Sequence, residues 1–164
     1  MKKPQTIPGK ILTLPQLLQT VNRLRLLGKR IVFTNGCYDM LHQGHIASLS
    51  DAALEADFLI VGVNSDDSVK KLKGPGRPLN DQYSRALLLA SLLIVDAVII
   101  FDEETPLELI HAIGPDALVK GGDYTLEEIV GAKEVIARGG RVVINPILAG
   151  FSTTRLIERI RAGS

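Results

Sequence analysis

The stretch TNGCYDMLHQGH, residues 34–45, decides which fold the rest of the chain is expected to adopt. It continues a short apolar run, residues 31–33, that is typical of a buried strand closed by turn residues. It also holds two of the three histidines of the chain, His42 and His45. Histidines three positions apart share one face of a helix. The stretch therefore predicts a strand, a loop of small residues and a helix whose start carries both histidines.

Size and composition restrict the class of protein. The chain has 164 residues, which suits one domain, with 46% hydrophobic and 23% charged residues, as in ordinary globular proteins. A net charge of +1 gives no general reason to bind nucleic acid or a membrane surface. The single cysteine, Cys37, excludes an internal disulfide, and no apolar run reaches the ~20 residues that a membrane-spanning helix needs. We expect a cytoplasmic protein without nucleic-acid or membrane partners.

The remainder of the chain alternates between apolar runs and helical patterns. Strands are predicted over residues 31–36, 58–64, 97–101 and 141–145, and residues 117–122 are interpreted as a strand that passes into a loop. Helices are predicted over residues 14–27, 44–55, 82–94, 105–114 and 127–138, with a last helix that opens at Ser152 or Thr153. Such alternation forms a parallel sheet that helices cover on both faces. We therefore expect a single α/β domain built on a Rossmann-like, doubly wound, five-stranded parallel sheet.

Two segments are expected to lack regular structure. Residues 1–10 carry two prolines and are interpreted as a loose arm, and residues 65–81 are interpreted as a polar loop. Together with the first helix, the arm forms residues 1–28, ahead of the main domain, residues 29–164. In doubly wound sheets a ligand binds at the carboxyl ends of the strands. The polar stretches with the most chemical functionality all follow predicted strands, so they should meet at that edge.

The loop Asn35-Gly36-Cys37 and the helix start after it suit a phosphate group. Small residues let backbone N–H groups approach a ligand, and the positive end of the helix dipole favours an anion. Gly44 keeps the approach open, and each histidine can donate a hydrogen bond to a phosphate oxygen. Two plainer interpretations are that the histidines are surface or core residues, or that they bind zinc. A zinc pair lacks partners, because only one cysteine and one other histidine exist.

This stretch resembles the signature of the nucleotidyltransferase superfamily that includes the cytidylyltransferases and phosphopantetheine adenylyltransferase. The form NGCYDMLHQGH is most similar to the D-glycero-β-D-manno-heptose 1-phosphate adenylyltransferase domains of bacteria. The resemblance continues in family order through VNSDDSVKKLKGPGRP, LLIVDAVIIF, PDALVKGGDY and FSTTRLI. It covers residues 29–161, which is nearly the whole chain.

The resemblance implies a role for each matching residue. The catalytic residues would be His42, His45 and Lys73, and the acceptor substrate would meet Arg77 and Arg85. The nucleotide would contact ten residues in four stretches: Asn35, Gly36, Cys37, Tyr38, Gly44, Gly121, Asp123, Ser152, Thr153 and Thr154. No residue is expected to be a direct metal ligand, and Mg²⁺ would bridge the phosphates of the nucleotide.

Plainer explanations exist for several of these residues. The basic run 70–78 is also typical of a solvated surface, and residues 120–124 have the composition of a turn. Ser152, Thr153 and Thr154 are good helix N-caps in their own right. Asp39 is expected to order its loop by accepting backbone N–H bonds rather than to act as a base.

One departure from the family pattern concerns the triphosphate. Several cytidylyltransferases have an arginine just before the segment that corresponds to FSTT, whereas here NPILAGFS has none and Arg155 follows it. This weakens the case for a cytidylyltransferase. It also leaves open which cation meets the β- and γ-phosphates.

The expected reaction is the transfer of AMP from ATP to a sugar 1-phosphate. By resemblance the acceptor is D-glycero-D-manno-heptose 1-phosphate, pyrophosphate is released, and the ADP-heptose product feeds lipopolysaccharide or another surface glycan. A separate sugar kinase would supply the acceptor, and the family often forms homodimers. The alternatives are a glycerol-3-phosphate cytidylyltransferase or an FAD synthetase of the same superfamily, or a non-catalytic nucleotide-binding module.

Overall fold

A computed structural model describes residues 3–146 and 162–163 of the chain. In these residues the strands are β1 (Ile31–Gly36), β2 (Phe58–Asn64), β3 (Ala97–Phe101), β4 (Ala117–Gly121) and β5 (Arg141–Asn145). The α-helices are α1 (Leu14–Leu26), α2 (Gln43–Ala53), α3 (Asp66–Lys73), α4 (Gln82–Ala90), α5 (Leu107–Ile113) and α6 (Ala132–Ala137), with 3₁₀ turns at Pro4–Thr6, Pro8–Lys10 and Leu126–Glu128. The strands form one parallel sheet in the order β3-β2-β1-β4-β5, which confirms the predicted α/β fold.

The strand order places a crevice beside β1. The chain runs from β1 through β2 to β3 on one side and then crosses over to β4 and β5 on the other side. Thr34 in β1 pairs with Val61 in β2 and with Val119 in β4, so these three strands end close together. In doubly wound sheets the point where the strand order reverses is where ligands bind.

Side chains of β1 alternate between two hydrophobic cores, one on each face of the sheet. Ile31 and Phe33 face the core that α1, α5 and α6 cover. Val32 faces the core that α2 and α4 cover. Alternation along a strand combined with burial on both faces is the pattern of a central parallel strand.

The N-terminal residues pack against the domain, so the expectation of a loose arm is wrong for residues 3–10. The Lys10 ammonium donates to the Val95 carbonyl oxygen at 2.6 Å, and Ile11 bridges to Val98 at the edge of the sheet. Leu17 and Val21 of α1 are fully buried in the main core. Residues on both sides of the predicted division at residue 28 therefore pack into the same core.

The segment predicted as a polar loop, residues 65–81, contains the helix α3. The Ser65 hydroxyl caps this helix by accepting from the Ser68 N–H at 3.2 Å. Asp66 and Asp67 lie in its first turn and Lys70, Lys71 and Lys73 in its last turn, which matches the charge preference of a helix dipole. Lys73 thus belongs to a helix end rather than to the loop.

Other boundaries differ by a few residues. The fourth helix ends at Ala90, and the helix predicted over 127–138 is a 3₁₀ turn followed by the shorter α6. The helix predicted to open at Ser152 or Thr153 lies outside the described residues. Among the helices that are described, none has the length and apolar character to cross a bilayer.

Candidate nucleotide-binding cleft

A cleft of about 580 Å³ opens at the carboxyl ends of β1 and β4. The structure brings most of the predicted site residues to its wall: Asn35, Gly36, Cys37, Tyr38, His42, Gly44, His45, Lys73, Arg77 and Gly121. Arg85 and Asp123 do not line it. Ser152, Thr153 and Thr154 lie outside the described residues.

The two histidines form one unit at the start of α2. His42 is the N-cap, and its backbone N–H donates to the Nδ1 atom of His45 at 3.3 Å. The two rings stack with centroids 3.9 Å apart and planes inclined by 25°. Because Nδ1 of His45 accepts a hydrogen bond, the proton of its neutral ring lies on Nε2. That N–H is a donor that a phosphate oxygen can use.

Both histidines are neutral in the unliganded protein at pH 7. Burial, and to a smaller extent the nearby His42, lowers the pKa of His45 to about 4. Burial also lowers the pKa of His42. Nδ1 of His42 is buried and has no hydrogen-bond partner among the described residues. The pair therefore offers hydrogen bonds rather than fixed charges, and a bound anion would favour the protonated form.

Tyr38 shapes the loop that precedes the histidines. Its backbone has a positive φ of 49°, and its ring is buried against Gly36. A Cβ atom at Gly36 would lie 3.1 Å from Cε2 of that ring, which explains why the smallest residue occupies the position. The ring also lies 5.4 Å from the His45 ring, centroid to centroid. Burial raises the pKa of Tyr38 to about 12, so the phenol stays protonated.

Asp39 ties this loop to the next one, as predicted. Its side chain is 2% exposed, and its Oδ1 atom accepts from the backbone N–H groups of Leu79 at 2.7 Å and Asn80 at 2.9 Å. Its Oδ2 atom accepts from Nε of Arg77 at 2.6 Å. These bonds use the carboxylate for structure and leave it poorly suited to act as a base. They also hold the Arg77 side chain at the cleft wall.

Arg85, which by resemblance would help to bind the second substrate, is buried inside the protein. Its side chain is 0% exposed, and its guanidinium donates to the carbonyl oxygens of Cys37 at 2.6 Å, Asn64 at 2.7 Å and Asn80 at 3.0 Å. It also pairs with Asp66 at 2.7 Å. The guanidinium thus joins the segments after β1 and β2 to the loop before α4. These contacts hold the cleft wall in place, and a contact of Arg85 with the second substrate stays a prediction.

The end of β4 contributes a lysine that the sequence interpretation missed. Nζ of Lys120 lines the cleft, donates to Oδ1 of Asn35 at 3.4 Å and lies 5.8 Å from the centroid of the Tyr124 ring. Lys120 opens the KGGDY stretch, and its place directly after an apolar strand is the signal that could have identified it. Asp123, in contrast, is exposed and is not among the residues that line the cleft.

Cys37 lies beside this basic group without becoming a thiolate. Burial raises the pKa of its thiol, and the nearby cations Lys73, Arg85 and Arg77 offset only part of the rise. A protonated thiol is a poor nucleophile. The observation agrees with the interpretation of Cys37 as a small loop residue beside the ligand.

The described residues do not form a dedicated metal centre. Within residues 3–146, no three His, Cys, Asp or Glu side chains converge in a way that could hold an ion. Mg²⁺ is commonly held by one or two protein groups together with substrate phosphates.

The chain belongs to the cytidylyltransferase-like family, whose model matches residues 33–159. Among individual relatives, it is 54% identical to the bifunctional protein HldE of Hyphomonas neptunium, over 93% of this chain and 32% of that protein. It is 55% identical to the bifunctional protein HldE of Koribacter versatilis, over 92% of this chain and 31% of that protein. The chain thus spans about a third of the length of these relatives.

Two solved structures share the fold. A lipopolysaccharide core biosynthesis protein from Thermoplasma volcanium superposes with a TM-score of 0.59 at 29% identity, over 73% of this chain and 97% of that one. Pantoate-beta-alanine ligase from Francisella tularensis superposes with a TM-score of 0.60 at 16% identity, over 83% of this chain and 66% of that one. The second likeness concerns the fold alone.

Proposed function

We propose that the chain transfers AMP from ATP to D-glycero-D-manno-heptose 1-phosphate, which yields ADP-heptose and pyrophosphate. The observation that carries the proposal is the stacked pair His42 and His45, held at a helix N-terminus in the same cleft as Lys73 and Arg77. The heptose acceptor follows from the sequence resemblance of residues 29–161.

In the proposed reaction, an oxygen of the sugar 1-phosphate attacks the α-phosphorus of ATP. A new P–O bond forms there, the bond between the α-phosphorus and the bridging oxygen breaks, and pyrophosphate leaves with the electron pair. The attacking phosphate is already ionised at neutral pH, so no strong base is needed. This agrees with a site in which Asp39 is engaged in structural bonds and the Cys37 thiol is protonated. Positioning and charge stabilisation then supply most of the rate.

Each part of the cleft has a role in this proposal. The Nε2–H of His45, together with His42, donates to oxygens of the transferring phosphoryl group. Lys73 adds a positive charge from the end of α3, and Arg77 binds the phosphate of the acceptor through the N–H groups that Asp39 leaves free. The α2 N-terminus and the loop Asn35–Tyr38 hold the phosphate chain of the nucleotide.

The remaining nucleotide contacts are proposed from the resemblance. Gly121, which lines the cleft, and Asp123 would approach the base and ribose, and Ser152, Thr153 and Thr154 would contact the triphosphate. Mg²⁺ bound to the nucleotide would neutralise charge on the phosphates. Supply of the acceptor by a sugar kinase and formation of a homodimer belong to the same proposal.

Pyrophosphate release tests the proposal directly. ATP, CTP, GTP and UTP are each offered with Mg²⁺ against heptose 1-phosphate, glycerol 3-phosphate and FMN. Turnover with ATP and heptose 1-phosphate alone is the expected result. Turnover with CTP and glycerol 3-phosphate, or with ATP and FMN, would assign the chain to another branch of the family. If no combination releases pyrophosphate although the protein still binds ATP, the result would support a non-catalytic binding module.

A further inference from the structure

Lys120 occupies the point of the fold where a ligand is expected, yet no role has been assigned to it so far. It lies near the carboxyl end of β4, which pairs directly with β1. Its ammonium group reaches the side chain of Asn35, at the end of β1 and at the entrance to the phosphate-binding loop. Both residues line the same cleft as His42 and His45.

The charge of Lys120 is poorly compensated. Among residues 3–146, its one hydrogen bond, to Oδ1 of Asn35, is long at 3.4 Å, and no carboxylate there forms an ion pair with it. The Tyr124 ring at 5.8 Å adds only a weak cation–π contact. Burial lowers the pKa of Lys120, and the charge of Lys73 lowers it further. A half-buried ammonium without a counter-charge is costly, and a bound anion would remove that cost.

We propose that Lys120 binds the phosphate chain of the nucleoside triphosphate, as a second cation that acts together with Lys73. Lys73 comes from the end of α3 and Lys120 from β4, so the two approach the phosphates from different elements of the cleft. The weak bond to Asn35 is easily exchanged for a bond to a phosphate oxygen. The inference rests on the proposed nucleotidyl transfer and names a cation for the triphosphate, since the segment NPILAGFS has no arginine.

The test compares Lys120→Met, which keeps the length of the side chain, with Lys120→Arg, which keeps the charge. Lys133→Met is the control, because Lys133 is an exposed lysine on α6 that does not line the cleft. Thermal melts are recorded with and without Mg²⁺–ATP, the Kd for ATP is measured by calorimetry, and pyrophosphate release gives KM for the sugar phosphate.

The expected results separate a binding role from a structural one. Without ligand, Lys120→Met should melt at or above the temperature of the wild type, because a poorly paired buried charge has been removed. With ATP, its stabilisation should shrink, and its Kd for ATP should rise about ten- to hundredfold, the range for losing a charged hydrogen bond. Lys120→Arg should recover part of the affinity, and Lys133→Met should match the wild type.

An unchanged Kd for ATP in Lys120→Met would overturn the inference. Together with a loss of melting temperature without ligand it would indicate a structural role, and together with a raised KM for the sugar phosphate it would indicate a role in acceptor binding. Calorimetry with ATP needs no acceptor, so it also separates this inference from the proposed function. If ATP binding depends on Lys120 but the wild type shows no turnover with heptose 1-phosphate, the proposed acceptor would be refuted and the role of Lys120 would stand.

Discussion

Replacing Arg85 by methionine should destabilise the protein strongly, because four acceptors converge on one buried guanidinium. The carbonyl oxygens of Cys37, Asn64 and Asn80 and the carboxylate of Asp66 all lie within 3.0 Å of its nitrogen atoms. Each buried acceptor that loses its donor costs about 1–3 kcal/mol. The Asp66 side chain is 31% exposed, so water can replace part of its ion pair. The three carbonyl oxygens together give about 3–9 kcal/mol. We expect the lower part of this range, about 3–5 kcal/mol, which is the usual cost of breaking a buried ion pair and corresponds to about 6–20 °C for a chain of this size.

Urea unfolding followed by circular dichroism measures this loss, with thermal melts as a second probe. Arg23→Met is the matched control, because Arg23 is an exposed arginine on α1. Arg85→Lys should fall between the wild type and Arg85→Met, because an ammonium keeps the charge but cannot reach all four acceptors. A loss below about 1 kcal/mol in Arg85→Met would refute the reasoning, since that is the scale of an ordinary surface change. A large rise in acceptor KM with stability intact would restore direct substrate contact.

Three further predictions concern the cleft. His42→Ala should lower kcat by about 10²–10³-fold in the pyrophosphate assay, as for the loss of a donor aimed at the transition state, and a loss below about tenfold would contradict that role. Burial holds the pKa of His45 at about 4, below its ordinary 6.5. The unfolded chain therefore binds the extra proton first, and the stability of the protein should fall as pH drops from 6.5 towards 4. Urea midpoints at pH 7 and pH 5 should differ less in His45→Gln than in the wild type, and equal differences would contradict the assignment. Asp39→Asn should release Arg77 and lower the free energy of unfolding by about 1–3 kcal/mol, with a rise in acceptor KM and an unchanged Kd for ATP. Unchanged acceptor kinetics would show that the bond between Asp39 and Arg77 has a structural role only.

The strands were predictable because central parallel strands are buried on both faces. FLIVGVN was predicted over residues 58–64, and β2 occupies these residues in the structure. The helix α3 was missed because its sequence, DDSVKKLK, buries only Ser68 and Val69 and gives no apolar stripe. Its helix signals are the cap at Ser65 and the ordering of charges, which are weaker than hydrophobic periodicity.

Side-chain roles were less predictable than side-chain positions. The cleft residues followed from the rule that parallel strands end at one edge, so Asn35, His42 and Lys73 were placed correctly. The burial of Arg85 depends on carbonyl groups that three separate segments bring together, and no local pattern encodes that convergence. Lys120 was overlooked because the glycines after it drew the interpretation towards a turn.

The two sides of the cleft differ in how firmly they are built. On the side of β2 and α3, Arg85 and Asp39 fasten the loops through bonds of 2.6–3.0 Å. On the side of β4, the link between Lys120 and Asn35 spans 3.4 Å. An inhibitor shaped to the first side would meet a preorganised surface and lose little affinity to loop ordering. On the second side, we expect changes at Lys120 to disturb the cleft less, because the bond that they remove is long.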